Sequence, residues 1–231
     1  MTSEPIATFS PAKLELLEMT LKKHRRGRAQ SIPRAANRES APLSHSQQGL
    51  WVLNRLMPGS SIYHTPTAAR LTGRLDIAAL RQALDCIVAR HQALRTTFSL
   101  VAGTPRQMIA EQLSLELPLI DLSELPEAER EAEAQRRLKQ EAIRPFDLSR
   151  GPLIRAVLLR LTPNEHILVV TMHHIVTDGW SVGVFHQELT TLYEAFSAGR
   201  QSPLGELQCR MDQYIHHDRS ITVRKAASCP D

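Results

Sequence analysis

The segment "TMHHIVTDGWS" (171–181) follows a run of apolar residues and ends it in two adjacent histidines. Successive side chains of a strand point to opposite faces, so one of His173 and His174 should face the interior and the other a cleft. The pair is therefore not expected to share a metal ion, and no metal site is predicted. Asp178 and Gly179 follow, and this dipeptide predicts a turn into a helix. Gly179 also allows close approach of the backbone, which would leave an N–H available to a ligand.

A histidine at the end of a buried strand is well placed to transfer a proton. Neutral imidazole, with an ordinary pKa of about 6.5, accepts a proton at cellular pH. A single histidine on an apolar face is more often a structural residue, and we interpret His91, His166 and His186 in that way. A tandem pair before an Asp-Gly turn favours a functional role for His173 and His174.

The composition is that of a folded globular protein. The chain has 231 residues, 42% of them hydrophobic and 23% charged, enough for one large domain or two small ones. The net charge of +4 is too small to indicate nucleic-acid binding. No apolar run approaches the roughly 20 residues of a membrane span, and the first residues do not form a secretory signal. Neither nucleic acid nor a membrane is predicted as a partner.

The cysteines favour a reducing environment. Cys86, Cys209 and Cys229 are odd in number and widely spaced, which predicts neither a disulfide framework nor a paired-cysteine metal site. We therefore expect a cytoplasmic protein.

The sequence divides into three segments. Residues 1–40 are expected to form a short amphipathic helix, which begins at Ser10 and Pro11, and then a basic linker. Residues 41–205 contain the periodic patterns of the main domain. Residues 206–231 show no apolar periodicity and are predicted to be a divergent, disordered tail.

Hydrophobic periodicity predicts a mixture of helices and strands in the main domain. Helices are expected at 44–57, after an N-cap at Asp76, at 126–143, and from Gly179 to about Gly199. Strands are expected at 67–73, 94–101, 105–110, 114–120, 153–161 and 165–173. The last strand is apolar on both faces, so it should lie inside a sheet. The order lacks a regular βαβ alternation and predicts an α/β or α+β sandwich, in which helices pack on a mixed sheet.

Three motifs in this order resemble those of one enzyme family. "MHHIVTDGWS" (172–181) is similar to its HHxxxDG signature, "LSHSQQGLWVLNRLMPGSSIYHTP" (43–66) to its opening motif, and "RHQALRTTF" (90–98) to its second motif. On these residues the chain resembles condensation domains of nonribosomal peptide synthetases, members of the chloramphenicol-acetyltransferase-like superfamily. The resemblance covers roughly residues 10–205 and implies a lobe of that fold.

The resemblance also implies a reaction. Condensation domains join a donor acyl or peptidyl thioester to the amine of an acceptor aminoacyl thioester, both carried on phosphopantetheine arms of carrier proteins. No metal and no directly bound cofactor is implied. The implied partners are peptidyl carrier proteins and neighbouring synthetase domains. A full domain has two lobes with the site between them, and this sequence resembles the N-terminal lobe only. A separate chain carrying the C-terminal lobe is therefore a further expected partner, and the isolated chain is expected to be weak or inactive.

The resemblance assigns roles to the residues of the signature. His174 is the catalytic histidine, either as the base for the attacking amine or as the group that positions the amine and stabilises the tetrahedral intermediate. His173 has a more structural role. Asp178 is expected to hold the loop through a salt bridge with an arginine of the second lobe. The Gly179 amide is expected near the reacting centre.

Six further residues are expected to support the site or bind substrate: Arg95, Ser46, Gln47, Trp51, Trp180 and Ser181. Arg95 belongs to the second motif and should support both fold and site. Ser46, Gln47 and Trp51 resemble positions at the base of the channel.

Several other functions remain open at this point. The spacing of His173 and Asp178 also fits the H-x-x-x-x-D pattern of glycerolipid acyltransferases, although no membrane-facing segment accompanies it. A coenzyme-A-dependent acyltransferase and an epimerisation domain are further alternatives. Heterocyclisation domains replace the histidines by aspartates, so the pair argues against that branch. The non-enzymatic alternative is a catalytically inert remnant or a lobe that binds carrier proteins.

Overall fold

A computed structural model describes residues 40–205 and Leu207. The predicted N-terminal helix and linker, and nearly all of the predicted tail, lie outside these residues. In chain order, the strands are β1 (Ser40–Pro42), β2 (His64–Thr72), β3 (Thr96–Val101), β4 (Thr104–Ile109), β5 (Leu119–Asp121), β6 (Ile154–Thr162) and β7 (Glu165–His173). The helices are α1 (His45–Leu56), α2 (Ile77–Arg90), α3 (Glu127–Ile143) and α4 (Gly179–Ser197), with a 3₁₀ turn at Gln92–Arg95.

The larger sheet has four strands in the order β2-β7-β6-β5. Its pairs are antiparallel except for β5 and β6, which are parallel, so the predicted mixed sheet is confirmed. The strand β7 lies inside the sheet, as its unbroken apolar run predicts. A second sheet, β1-β4-β3, is antiparallel and was not predicted as a separate layer.

Helices cover both faces of the four-stranded sheet. Leu84 and Ile87 of α2 and Leu192 of α4 pack with the even-numbered residues of β7 on one face. Ala134 of α3 packs with the odd-numbered residues, such as Val169, on the other. This alternation follows from the two-residue period of a strand, and it produces the predicted sandwich.

Local sequence signals set the helix starts. Ser44 and Gln47 form a capping box at the start of α1. The Asp76 carboxylate accepts the Ala79 amide at the start of α2, and Asp178 caps α4. No helix among the described residues is long and apolar enough to cross a membrane.

Two predicted strands differ from the structure. The strand predicted at 67–73 begins three residues earlier, at His64, and runs through Pro66. Proline has no N–H, but β2 is an edge strand of the described sheet, where a missing donor is tolerated. The strand predicted at 114–120 is reduced to β5, and the residues before it have no regular structure. Their Leu115 and Leu117 are buried in the core, so their apolar alternation reflects packing rather than sheet pairing.

Candidate active site

The histidine loop, defined as residues 174–178, joins β7 to α4. The His174 amide donates to the Tyr63 carbonyl at 2.8 Å, directly before β2. The Val176 amide donates to the His173 carbonyl at 3.0 Å and closes a tight turn. The backbone of the loop is thus fixed to the ends of two paired strands.

His173 is a buried residue of the layer between the sheet and α3. Its side chain is 1% exposed, and its Nδ1 accepts the Ile175 amide at 3.1 Å. Its ring contacts Phe146 and His64, with centroid separations of 6.1 and 5.9 Å. Burial, with smaller contributions from the charges of His64 and His174, lowers the pKa of His173 to about 4. His173 is therefore neutral near pH 7 and does not contact solvent.

His174 has the opposite environment, because its side chain is exposed. The structure thus separates the two imidazoles as the strand geometry predicts, with His173 inside and His174 available to a substrate. The end of β7 and the turn after it are sufficient to place the two imidazole side chains in different environments. The exposed histidine is the one to which the family resemblance assigns the catalytic role, and that role stays a prediction.

Asp178 is the N-cap of α4. Its Oδ1 accepts the Ser181 hydroxyl and the Ser181 amide, both at 2.7 Å. These two bonds, the hydroxyl first, lower the pKa of Asp178, and the positive helix N-terminus favours the same ionised form. Ser181 is therefore the local partner of Asp178. The expected salt bridge with an arginine stays a prediction, because Asp178 forms no ion pair within residues 40–205 and Leu207.

Gly179 and Trp180 form the exposed first turn of α4. A Cβ at Gly179 would meet nothing within 4 Å, and the backbone there is not in the left-handed region. The fold of the described residues therefore does not require glycine at this position. Trp180 is 83% exposed, an unusual environment for so large an apolar ring. Both residues leave the face of the loop open.

Of the three opening-motif residues, Gln47 is the one that forms a hydrogen bond with the histidine loop. It is buried, and its Nε2 donates to the Ile175 carbonyl and to Gln107 Oε1, each at 3.3 Å. Trp51 packs against the apolar cluster that contains Ile175, whereas Ser46 is exposed. Gln47 thus links α1 to the histidine loop, and the expected place of these three residues at a channel base stays a prediction.

Arg95 stabilises the neighbouring hairpin. Its guanidinium donates to the main-chain carbonyls of Ala110 and Glu111, the latter at 3.1 Å. Both carbonyls directly follow β4, so Arg95 fixes the end of the smaller sheet. These contacts explain how Arg95 supports the fold. Its support of the site stays a prediction.

An apolar cleft of about 140 Å³ lies beside the histidine loop. It is bounded by the end of α2, the loop and the first turns of α4, and its lining residues are His91, Ala93, Leu94, Met172, Val176, Thr177, Trp180, Ser181, Val184 and Phe185. At its edge, His91 Nε2 lies 2.6 Å from Glu188 Oε2, which ties α2 to α4. His91 is thus a paired structural residue, in agreement with its interpretation from sequence.

Sequence reasoning missed the residues packed behind His173. His64 and His173 are directly opposite in the β2–β7 register. The Phe146 ring contacts both imidazoles, and the Arg155 guanidinium lies 3.7 Å from the centre of that ring. His64 lies within the opening motif, so extending the strand back through Pro66 would have found it. Among the described residues, no group of three or more His, Cys, Asp or Glu side chains is arranged to hold a metal ion.

Comparison with known proteins agrees with this geometry. The sequence profile of the family described as "Condensation domain" matches residues 37–227, which includes the histidine loop. The chain belongs to the condensation-domain family. The match extends beyond residue 205, where the sequence analysis placed the end of the main domain; that boundary stays a prediction.

The relatives of this condensation-domain chain are nonribosomal peptide synthetases and related proteins. Chondramide synthase of Chondromyces crocatus is 51% identical over 165 residues, which cover 71% of this chain and 4% of the synthase. The X-domain from teicoplanin biosynthesis, solved in complex with OxyB, is 32% identical with a TM-score of 0.75 over 84% of this chain and 41% of that one. The starter condensation domain of rhizomide synthetase shares the fold at 23% identity, with a TM-score of 0.73 over 80% of this chain and 46% of that one. The chain therefore spans less than half of either solved structure.

Proposed function

We propose that this chain supplies the histidine-bearing part of a condensation domain that forms an amide bond. In the proposed reaction, the amine of an acceptor aminoacyl thioester attacks the thioester carbon of a donor acyl or peptidyl group. The C–N bond forms, the C–S bond breaks, and the departing thiolate takes up the proton that the amine loses. Both substrates would be carried on phosphopantetheine arms of carrier proteins, so no directly bound cofactor is proposed.

The observation that supports this proposal most is the separation of the two histidines. His173 is buried behind the strand end, whereas His174 is exposed on a loop whose backbone is hydrogen-bonded to Tyr63. An exposed imidazole on a fixed backbone is suited to hold or move the proton of an attacking amine. His174 would act either as the base or as the group that orients the amine and stabilises the tetrahedral intermediate. The thioester is already activated, so positioning and proton handling would supply most of the rate.

The other site residues are proposed to act around His174. Asp178 and Ser181 would fix the start of α4 and so the far end of the loop, and Gly179 would leave room for the reacting groups. Gln47 would hold the loop from below through the Ile175 carbonyl. Trp180 would be covered in the working assembly, because its exposed ring suits contact with another domain or a carrier protein.

The proposed partners are peptidyl carrier proteins, neighbouring synthetase domains and a polypeptide that supplies the rest of the domain. The rest of the domain is proposed because the chain matches 46% of the starter condensation domain, and it would be supplied either by the same polypeptide or by another. The cytoplasm is the proposed location, in line with the widely spaced cysteines of the sequence.

The test is a chimaera with a longer relative. Residues 37–205 would replace the matching segment of the condensation domain of chondramide synthase, and amide formation between two loaded carrier proteins would be measured. We expect the chimaera to be active and His174→Ala to lower kcat by roughly 10²- to 10⁴-fold, the usual range for one acid–base group. His45→Ala, an exposed histidine in α1, is the matched control and should not change kcat. An active chimaera that is insensitive to His174→Ala would refute the role of His174.

A second function, binding without catalysis, is favoured by one observation. The X-domain, 32% identical to this chain, was solved in complex with OxyB. If the chimaera forms no amide while the full 231-residue chain binds a carrier protein or another synthetase-associated protein in calorimetry, this second function replaces the first.

A further inference from the structure

The hydrogen bonds of His173 define where its proton lies. Its Nδ1 accepts the Ile175 amide at 3.1 Å, and a nitrogen that accepts cannot carry a proton. The remaining proton of the neutral ring is therefore on Nε2. This Nε2–H is buried and has no hydrogen-bond partner within residues 40–205 and Leu207. A buried donor without an acceptor is costly, so an acceptor is expected close by.

The opposite tautomer follows for His64. Its Nδ1 lies 2.8 Å from the Ala142 carbonyl, which can only accept, so Nδ1 must carry the proton. Burial lowers the pKa of His64, which favours the neutral ring and leaves a lone pair on Nε2. That Nε2 is also buried without a partner among the described residues. His173 thus presents an unsatisfied donor, and His64 presents an unsatisfied acceptor.

The sheet places these two rings next to each other. His64 and His173 are directly opposite in the antiparallel register, and their centroids are 5.9 Å apart at an interplanar angle of 64°. One water molecule joins polar atoms up to about 5.5 Å apart, since each of its hydrogen bonds spans roughly 2.8 Å. Rings at this separation bring their Nε2 atoms within reach of one bridging water when the two atoms face each other, and both Nε2 atoms are buried without another partner in the described part of the chain.

We propose that His64 accepts the Nε2 proton of His173, and that His64 is thereby a positioning residue for the histidine loop. Tyr63 and His64 would then hold the start of the histidine loop at two points. The Tyr63 carbonyl binds the His174 amide, while His64 holds the ring of His173 from behind. The hydrogen bond between His64 and His173 can be tested without any reaction. The effect of that bond on His174 rests on the proposed function.

A competing acceptor lies on β7 itself. Thr171 Oγ1 is buried, has no partner in the described part of the chain, and lies on the same face of β7 as His173. Thr171→Val removes this hydroxyl at nearly constant shape, so it discriminates between the two acceptors. His64→Phe removes the lone pair and keeps the ring. His64→Gln restores an acceptor that can reach the Nε2 position.

The experiment is nitrogen-15 NMR of the imidazole rings in the full 231-residue chain. We expect His173 as the Nε2–H tautomer and His64 as the Nδ1–H tautomer. We further expect His64→Phe to speed solvent exchange of the His173 Nε2 proton by about tenfold, the effect of losing one hydrogen bond. His64→Gln should recover most of the protection, and neither Thr171→Val nor the surface control His45→Phe should change it.

Several results would overturn the link. An Nδ1–H tautomer for His173, an Nε2–H tautomer for His64, or faster exchange in Thr171→Val but not in His64→Phe would each do so. The tautomers are measured on the unsubstituted chain, so this part of the test still applies if a variant fails to fold. A nuclear Overhauser contact between water and the His173 Nε2 proton would show a bridging water, and a scalar coupling between the two Nε2 nitrogens would show a direct bond. Either observation supports the proposal, and the absence of both would count against it.

The functional arm uses the chimaera described above. His64→Phe should lower kcat by about tenfold with KM unchanged, and His64→Gln should restore it, because the loop is repositioned without loss of a substrate contact. Normal kcat in His64→Phe would contradict the positioning role. If the unsubstituted chimaera is inactive, the proposed function fails while the NMR result still decides the link.

Discussion

The two sides of the His173–His174 peptide have opposite physical environments. On the inner side, the His173 ring is 1% exposed and packs against Phe146 and His64. On the outer side, His174 and the first turn of α4 are exposed, and the order of the loop comes from backbone bonds and the Asp178 cap. The difference teaches that the fixed part of this site is the layer behind the loop, whereas its reactive face is left open.

This division suggests that stability and activity can be changed separately. Substitutions behind the loop should affect the free energy of unfolding, because they leave cavities or unpaired polar atoms. Substitutions on the open face should affect the reaction with little effect on stability.

The largest expected effect is on stability at the inner side. His173→Ala should lower the free energy of unfolding by about 4 kcal/mol, because it leaves a ring-sized cavity and an unpaired Ile175 amide. His174→Ala should change it by less than about 0.5 kcal/mol, as is usual for an exposed residue. Urea denaturation of the full chain measures both. Equal losses in the two variants would show that the inner and outer sides are not distinct.

The pH dependence of stability should come from the same inner side. The folded chain holds His173 neutral down to a pKa of about 4, whereas an unfolded histidine titrates near 6.5. Between these values the unfolded state binds more protons, so stability is present above pH 6.5 and is lost as the pH falls towards 4. The loss from His173 should total about 3 kcal/mol.

The control for this pH dependence keeps the ring and removes the titration. Between pH 6.5 and 4, the free energy of unfolding of His173→Phe should fall less steeply than that of the unsubstituted chain. The difference in slope should be at most that of one bound proton, roughly 1.4 kcal/mol per pH unit. A smaller decline should remain, because burial also lowers the pKa of His64 and of His166. His174→Ala should retain most of the decline, because the charge of His174 makes only a smaller contribution to the lowered pKa of His173. An unchanged slope in His173→Phe would contradict the assignment.

The open side of the site was easier to predict from sequence than the inner side. The bounds of β7 and the start of α4 are those predicted, because an unbroken apolar run and an Asp-Gly turn are local signals. Strand alternation predicted that one of the two histidines is buried and the other exposed, and the structure shows His174 as the exposed one. The likeness to condensation domains, read from three motifs, is confirmed by the family match.

The inner side depends on pairing between distant segments, which a single sequence does not specify. His64 and His173 are 109 positions apart, and Pro66 masked the start of β2 by its low strand propensity. Phe146 lies between the helix predicted at 126–143 and the strand predicted at 153–161, and only the folded chain brings its ring against both histidines. The partner of Asp178 was expected to be a distant arginine, whereas the described structure gives Ser181, three residues away.

The smallest expected effect concerns this cap, at the boundary between the two sides. Asp178→Ala should lower the free energy of unfolding by about 1 kcal/mol, the usual cost of losing an N-cap. Asp178→Asn should cost only a few tenths of a kcal/mol, because its side-chain oxygen can still accept the Ser181 amide. Thermal or urea unfolding of the full chain distinguishes the variants. If Asn costs as much as Ala, the negative charge itself is required for the cap, as expected for a carboxylate at the positive N-terminus of α4. If Asn is tolerated for stability but lowers kcat of the chimaera as strongly as Ala, the charge acts on the open face, and the cap alone does not explain why an aspartate stands here.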